Sequence, residues 1–200
     1  MESLHTELIP DIQEPQGQPK AKFRRALLEA LETILLSVIL FLAINLISER
    51  IRVESISMEP NLTPGNFVIV NKMAYRFSGS PKLGDIVVFR YPLNPDQIPY
   101  IKRVIGTPGD TIQIESGKVY VNNVQLNEPY IKEVTGRGGN WTVPANSIFV
   151  MGDNRNNSSD SRAWGFVPLE NIIGRAELIY WPPEDWAVLH TKIAAAAPQQ

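Results

Sequence analysis

The chain contains no cysteine, and its two histidines, His5 and His190, lie near opposite ends. The first absence removes a thiolate nucleophile, a structural disulfide and any thiolate metal site together. A Ser-His-Asp triad needs an imidazole held rigidly beside its nucleophile, and neither histidine is placed to supply one. Three or four zinc ligands cannot be assembled from histidines so far apart, so no metal is expected. If the protein does acid-base chemistry, lysine, aspartate, glutamate or tyrosine does it. Strong charge of one sign is lacking as well. A formal net charge of −2 gives no electrostatic reason to expect nucleic acid as a partner. No internal repeat and no Gly-rich phosphate loop are visible, and no cofactor is implied.

What is present is a 200-residue chain, 44% hydrophobic and 20% charged, the balance of one globular domain with appendages. Residues 1–25 begin rich in Pro, Gln and Glu without an apolar period and end in Lys20, Lys22, Arg24 and Arg25. They read as a disordered tail with a basic flank. Ala26 to Ser48 follows as a nearly continuous apolar run. As a helix it spans about 35 Å at about 1.5 Å per residue, enough for a hydrocarbon core of about 30 Å. Glu29 and Glu32 fall in its first turns, at headgroup depth. Between Leu35 and Leu46 only Ser37 and Asn45 are polar, too few for the wet face of a soluble helix. No small-x-small site follows the run, so it reads as a retained span and not a cleaved leader. Four basic residues precede it, whereas Arg50 and Arg52 after it are offset by Glu49. The positive-inside rule therefore places the N-terminus in the cytoplasm and the rest outside.

From residue 49 to 186 the sequence reads as β. NFVIVNKMAYRF, DIVVFRYP, IKRVIG, TIQIESGKVYVNNVQL, SIFVMGD and IIGRAELIYW are rich in β-branched and aromatic residues, separated by turns with Pro, Gly and Asn. Ser116-Gly117 and Asn122-Asn123 predict hairpin turns. Helices do not alternate with these strands, so the expected fold is an all-β domain, an antiparallel barrel or sandwich, after one transmembrane helix. Residues 187–200 read as a flexible tail. Trp181 and Trp186 suit either contact with the bilayer surface or ordinary packing of the last strand.

Three segments break this pattern. Ser55-Ile56-Ser57-Met58-Glu59-Pro60 lies just beyond the span; two serines at i, i+2 share one face of an extended chain, and by themselves also suit a polar linker. In Tyr100-Ile101-Lys102-Arg103-Val104, alternation sends Lys102 and Arg103 to opposite faces, one of them inward. A lysine whose stem packs while its head reaches solvent fits the same pattern. The third segment, Gly152 to Arg162, has the look of a calcium loop but places Arg155, Ser158 and Trp164 where a ligand, glycine and glutamate are needed. It reads as a polar loop in which Asp160 and Arg162 form an internal salt bridge.

Taken together and in order, Ser-Met-x-Pro beyond a single anchor, Tyr-Ile-Lys-Arg-Val-x-Gly-x-Pro-Gly-Asp, and Gly-Asp-Asn-Arg-x-Asn-Ser-x-Asp-Ser-Arg resemble the type I signal peptidases, a family of Ser-Lys serine proteases. The resemblance runs from the basic flank to about Trp181. It implies Ser57 as nucleophile and Lys102 as general base. It also implies that Ser55 donates to the oxyanion beside the Ser57 N–H, and that Ser158 hydrogen-bonds and orients Lys102. Asp160 and Arg162, with Asp153 and Arg155, would brace the loop. The implied substrate is a preprotein with small residues at the first and third positions before the cut, met at the lipid bilayer by a monomeric enzyme. Asn61, where the family usually has Thr, and Asn156, in place of a frequent Asp, depart from the pattern. The short stretch from Asn127 to Ser147 leaves no room for the inserted subdomain of some relatives. Two other readings share the pattern: a self-cleaving Ser-Lys protease of related fold, which would want a DNA-binding module, and an inactive membrane-tethered scaffold.

Overall fold

The structure, a computed structural model, describes residues 19–76, 79–189 and 194–195. The chain forms two compact units, Met1–Ala43 and Ile44–Gln200. Helix α1, Pro19–Ile47, begins earlier than the apolar run, so residues 19–25 are helical; residues 1–18 of the expected disordered tail lie outside the described residues. Its segment Lys22–Ile47 holds an 18-residue stretch of mean hydropathy 2.4 and has no buried residue, so its leucines and isoleucines present an apolar surface on every side. Thr33 and Ser37 turn their hydroxyls back onto the carbonyls of Glu29 and Thr33, both at 2.8 Å. Each polar group is thus satisfied inside the helix, as a hydrocarbon surround requires. By length and composition α1 can cross a membrane.

The second unit is antiparallel throughout. Strands β1 (Ser48–Arg52), β2 (Phe67–Asn71), β3 (Ile86–Phe89), β4 (Tyr100–Gly106), β5 (Thr111–Glu115), β6 (Lys118–Val121) and β7 (Val124–Asn127) are followed by β8 (Gly139–Thr142) and β9 (Ser147–Met151). After the one-turn helix α2 (Ser161–Trp164) come β10 (Val167–Pro168), β11 (Ile172–Trp181), β12 (Ala187–Val188) and β13 (Ala194–Ala195). One sheet runs β1-β2-β11-β3-β4-β9-β10, with β12 also on β11; the other runs β13-β7-β6-β5-β8. The expected all-β antiparallel architecture is therefore present. Alternation explains the second sheet well: Ile112, Ile114, Val119 and Val121 point into one core with Phe149 and Met151. Both predicted hairpin turns occur, with Ser116, Gly117, Asn122 and Asn123 all at positive φ, the twist that two-residue hairpins need.

Several expectations need correction. The helix ends at Ile47, and Ser48 already belongs to β1. The long strand expected through Phe77 stops at Asn71, whose side-chain carbonyl accepts from the Met73 N–H at 2.9 Å and turns the chain. The tail from residue 187 is structured where it is described. Ala187–Val188 pairs with β11 and Ala194–Ala195 with β7; residues 190–193 and 196–200 lie outside the described residues. Trp181, at the end of β11, and Trp186 after it are 53% and 67% exposed.

Strand β4 is central to the site. It lies between β3 and β9, and every residue from Ile101 to Gly106 is buried. Ile101, Val104 and Ile105 enter three different apolar clusters. Lys102 and Arg103 are therefore both inward, 4% and 3% exposed, and not one in and one out. A strand covered on both faces has no wet side for alternation to find.

Candidate active site

Ser57 lies in a single 3-10 turn, Ile56–Met58, reached from β1 through an extended Ser55. Met58 and Leu62 are fully buried in the core beside Val68 and Val70, which anchors the turn from beneath. The N–H groups of Asn61 and Leu62 both donate to the Met58 carbonyl at 3.0 Å, closing the backbone after Ser57. Ser55 and Ser57 do meet, with Oγ atoms 3.0 Å apart, but through this turn and not as strand neighbours. From the other side Asn154 holds the turn in place. Its backbone N–H donates to the Ser57 carbonyl at 3.0 Å and its side-chain amide to the Ile56 carbonyl at 3.1 Å.

Lys102 arrives from β4. Its Nζ donates to Ser57 Oγ at 2.7 Å and to the Ile101 carbonyl at 3.1 Å, and it lies 5.4 Å from the centre of the Tyr100 ring. Among the described residues no carboxylate forms a salt bridge with it. Burial disfavours the ammonium and pushes the Lys102 pKa from 10.5 down to about 8, against the smaller opposing fields of Asp160 and Asp153. An amine so placed is in substantial part neutral near pH 8, and its partner is an alcohol.

Those two aspartates are kept from Lys102 by arginines of their own. Asp153 takes Arg103 Nε and Nη2, both at 2.7 Å, and Asp160 takes Arg162 Nε at 2.8 Å and Nη2 at 2.7 Å. Asp160 also accepts from the Gly152 and Arg162 backbone N–H groups at 3.0 and 3.3 Å, capping α2. The expected Asp160–Arg162 bridge is thus present. Arg155 pairs with Glu128, and its Nε donates to the Gly152 carbonyl at 3.1 Å. Such two-pronged pairs survive burial because a guanidinium fork and a carboxylate satisfy each other.

The segment after β7 underlies this loop. Besides Glu128, Tyr130 lays its ring against Arg103, 4.1 Å from ring centre to guanidinium carbon. Thr135 Oγ1 accepts from Arg162 Nη1 at 2.6 Å. Asn156 donates to Glu133 and the Val134 carbonyl and accepts from the Gly136 N–H. Glu128, Tyr130 and Thr135 were not among the expected site residues. They sit far along the chain in a segment with no motif, and only the arginines' need for buried partners pointed toward them. Asn154 lay inside the third motif with no role given to it.

Of the expected residues, Ser55, Ser57 and Lys102 converge, and Asp153, Arg155, Asp160 and Arg162 frame them. Ser158 differs. Its Oγ is buried and has no hydrogen-bond partner among the described residues, and Lys102 bonds to Ser57 instead. Gly152 is what lets this hydroxyl in, since a Cβ there would fall on Ser158 Oγ and on the Ser57 carbonyl.

A cavity of about 310 Å³ opens on the pair, walled by Ile56, Met58, Ile98, Tyr100 and Ile101 with Ser57 and Lys102 in its surface. A hydroxyl, a buried amine with no carboxylate partner among the described residues and an apolar recess suit nucleophilic attack on a bound carbonyl.

Residues 27–181 match the family model described as signal peptidase, peptidase S26. A signal peptidase I of Leptolyngbya laminosa is 44% identical over 185 residues, covering 86% of this chain and 90% of its own. A probable signal peptidase I-2 of Synechocystis sp. is 41% identical over 165 residues, covering 78% of this chain and 73% of its own. A solved signal peptidase I from Enterococcus faecalis V583 is 32% identical, with a TM-score of 0.44 over 48% of this chain and 97% of its own. With its family model spanning both the apolar helix and the β unit that holds Ser57 and Lys102, the chain belongs to the signal peptidase family, peptidase S26.

Proposed function

We propose that the protein is a membrane-anchored serine endopeptidase that removes N-terminal signal peptides from exported preproteins after small-x-small sites. One observation carries the assignment of roles: Lys102 Nζ, buried and without a carboxylate, donates to Ser57 Oγ at 2.7 Å. Neutral Lys102 takes the Ser57 proton as Oγ adds to the scissile carbonyl carbon. The oxyanion so formed accepts from the Ser55 hydroxyl and the Ser57 N–H. Lys102, now an ammonium, protonates the leaving amine, and the C–N bond breaks to leave an acyl ester on Ser57. Water then gives a proton to Lys102 and adds to the ester carbonyl; the bond from that carbon to Ser57 Oγ breaks, Lys102 returns the proton to Oγ, and the signal peptide leaves with a new carboxylate. Ser158 carries a buried, uncommitted hydroxyl, and we assign it to orient Lys102 once Ser57 Oγ is bonded to the acyl group. Asp153, Arg155, Asp160 and Arg162 hold the surrounding loop.

An extended preprotein adds along a strand edge, and its small side chains enter the apolar recess by Ile56 and Ile101. The anchor keeps enzyme and membrane-held signal peptide in one thin layer, which raises their effective concentration. We assign residues 1–25 to the cytoplasm, 26–47 to the span and the β unit from Ser48 onward to the extracytoplasmic peptidase, acting as a monomer without metal or cofactor. Protease added outside spheroplasts should digest the β unit; its protection there would reverse the orientation. The activity is tested by incubating the detergent-solubilised protein with a preprotein bearing an Ala-x-Ala site, beside Ser57→Ala. Cleavage at that site by the wild type alone is the expected result. An intact preprotein in both would leave a scaffold as the better description.

A further inference from the structure

Asn61 stands four residues after Ser57, on the same tightly closed turn. Its side-chain amide has two N–H donors, and both are used: one goes to the Tyr130 carbonyl at 2.7 Å, the other to Asp153 Oδ2 at 2.9 Å. Asp153 is fully buried, and with Arg103 Nε and Nη2 it thereby receives three hydrogen bonds. The next residue in the chain, Asn154, holds the Ser57 and Ile56 carbonyls. Asn61 therefore closes a ring of contacts that runs from the Ser57 turn through Asp153 and Asn154 and back to the Ser57 turn. It also ties that ring to the segment beneath it at Tyr130.

We infer that Asn61 is a positioning residue for Ser57 and Lys102: its amide fixes the Asp153 carboxylate, and with it the loop that clamps Ser57, and partly screens that carboxylate from Lys102. The inference rests on Lys102 acting as the base. The charged groups acting on Lys102 are Asp153 and Asp160, both from the loop. Each is engaged by an arginine, Arg103 from β4 and Arg162 from α2. The turn faces Lys102 with the Ser57 hydroxyl, its own strand adds the titratable Tyr100 ring, and β3 places the uncharged Val87 opposite it. In this balance the positive end of an N–H dipole on Asp153 weakens the field that favours the ammonium. Loss of that donor leaves the carboxylate's field less screened and lets its loop relax. Lys102 then holds its proton more tightly.

Asn61→Thr and Asn61→Val separate this from a purely structural role. The two replacements are nearly the same size, and only Thr keeps a proton to give Asp153; neither supplies both bonds. The readout is the pH profile of kcat/KM for a preprotein, with thermal melts to establish folding. Asn61→Val should move the acid limb to higher pH by about half a unit to one unit relative to Asn61→Thr. Below the limb this appears as a loss of about three- to tenfold that disappears at alkaline pH. If Asn61→Val does not fold, Asn61→Ser beside Asn61→Ala poses the same hydroxyl difference in smaller side chains. Superimposable profiles within a folded pair would overturn the inference while leaving Lys102 as the base. A wild-type profile with no acid limb between about pH 7 and 9 would instead overturn the general-base reading itself, and the inference with it.

Discussion

Lys102 and Arg103 are adjacent on one buried strand, and of the two only Arg103 is paired with a carboxylate, Asp153. The division follows from their chemistry. A guanidinium keeps its charge at any accessible pH, so its burial demands an anion, whereas an amine can shed its proton when water is removed. By giving Asp153 to Arg103 and Asp160 to Arg162, the loop leaves Lys102 facing Ser57 Oγ and a carbonyl. The two arginines thus occupy the carboxylates whose fields reach Lys102.

The nucleophile and base should behave as one unit. Ser57→Ala and Lys102→Ala are each expected to abolish preprotein cleavage, and the double variant to be no worse than either, since residues acting in one step are non-additive. Lys102→Arg should be equally inactive despite keeping the charge, because guanidinium does not deprotonate in this range. Single-turnover assays on folded protein provide the check. Substantial cleavage by Lys102→Ala would assign the base elsewhere.

Ser55→Ala should be milder. Removing one donor to the oxyanion lowers kcat by about 10² to 10³. The Ser55 Oγ contact to Ser57 in the resting site makes a parallel measurement of KM useful. A change confined to KM would make Ser55 a substrate contact and not an oxyanion donor.

Burial of Lys102 should lower stability in a pH-dependent way. Its folded pKa, about 8, lies below its ordinary value of 10.5. Below pH 8 folding must therefore confine an ammonium that water would stabilise; between the two values the penalty fades, and above 10.5 it is gone. At about 1.4 kcal/mol per unit the full penalty is about 3 kcal/mol. Lys102→Met should thus be inactive yet more stable at pH 7, with a Tm several degrees higher, and the gap to wild type should narrow toward pH 10. Thermal melts at the two pH values measure this, and a Lys102→Met protein less stable at pH 7 would contradict it.

Gly152→Ala tests how closely the loop approaches the nucleophile. The added methyl meets the Ser57 carbonyl and the Ser158 side chain, so the turn must shift. A displacement near 1 Å at the reacting atoms costs about 10² in rate, and kcat should fall by that order while circular dichroism stays unchanged. Unaltered turnover would show that the turn has more room than the geometry gives it.

The parts of this site that were legible in the sequence are those with a periodicity or a motif behind them. The α1 helix, the β5–β6 and β6–β7 hairpins and the strands around Val87 and Val150 follow from apolar runs and turn residues. Ser57, Lys102 and the Asp160–Arg162 pair stood out as polar breaks at strand edges. The expectation that only one of Lys102 and Arg103 points inward fails because period-two alternation assumes one wet face, and β4 has none. The partnership of Arg155 with Glu128, the Tyr130 ring on Arg103 and the reach of Asn61 to Asp153 join residues 27, 27 and 92 positions apart. No local pattern encodes contacts at that range. The unpartnered Ser158 hydroxyl is likewise a property of packing around Gly152 and not of any spacing.

The central claim is that Lys102 serves as a base because its site strips the ammonium of water and offers no anion in return. Selective isotope labelling of lysine, with the Lys102 signal assigned by its loss in Lys102→Met, lets its side chain be titrated directly by NMR. The account predicts a midpoint at about 8, coincident with the acid limb of kcat/KM. A midpoint at the ordinary 10.5 in both the free and the peptide-bound protein would contradict it.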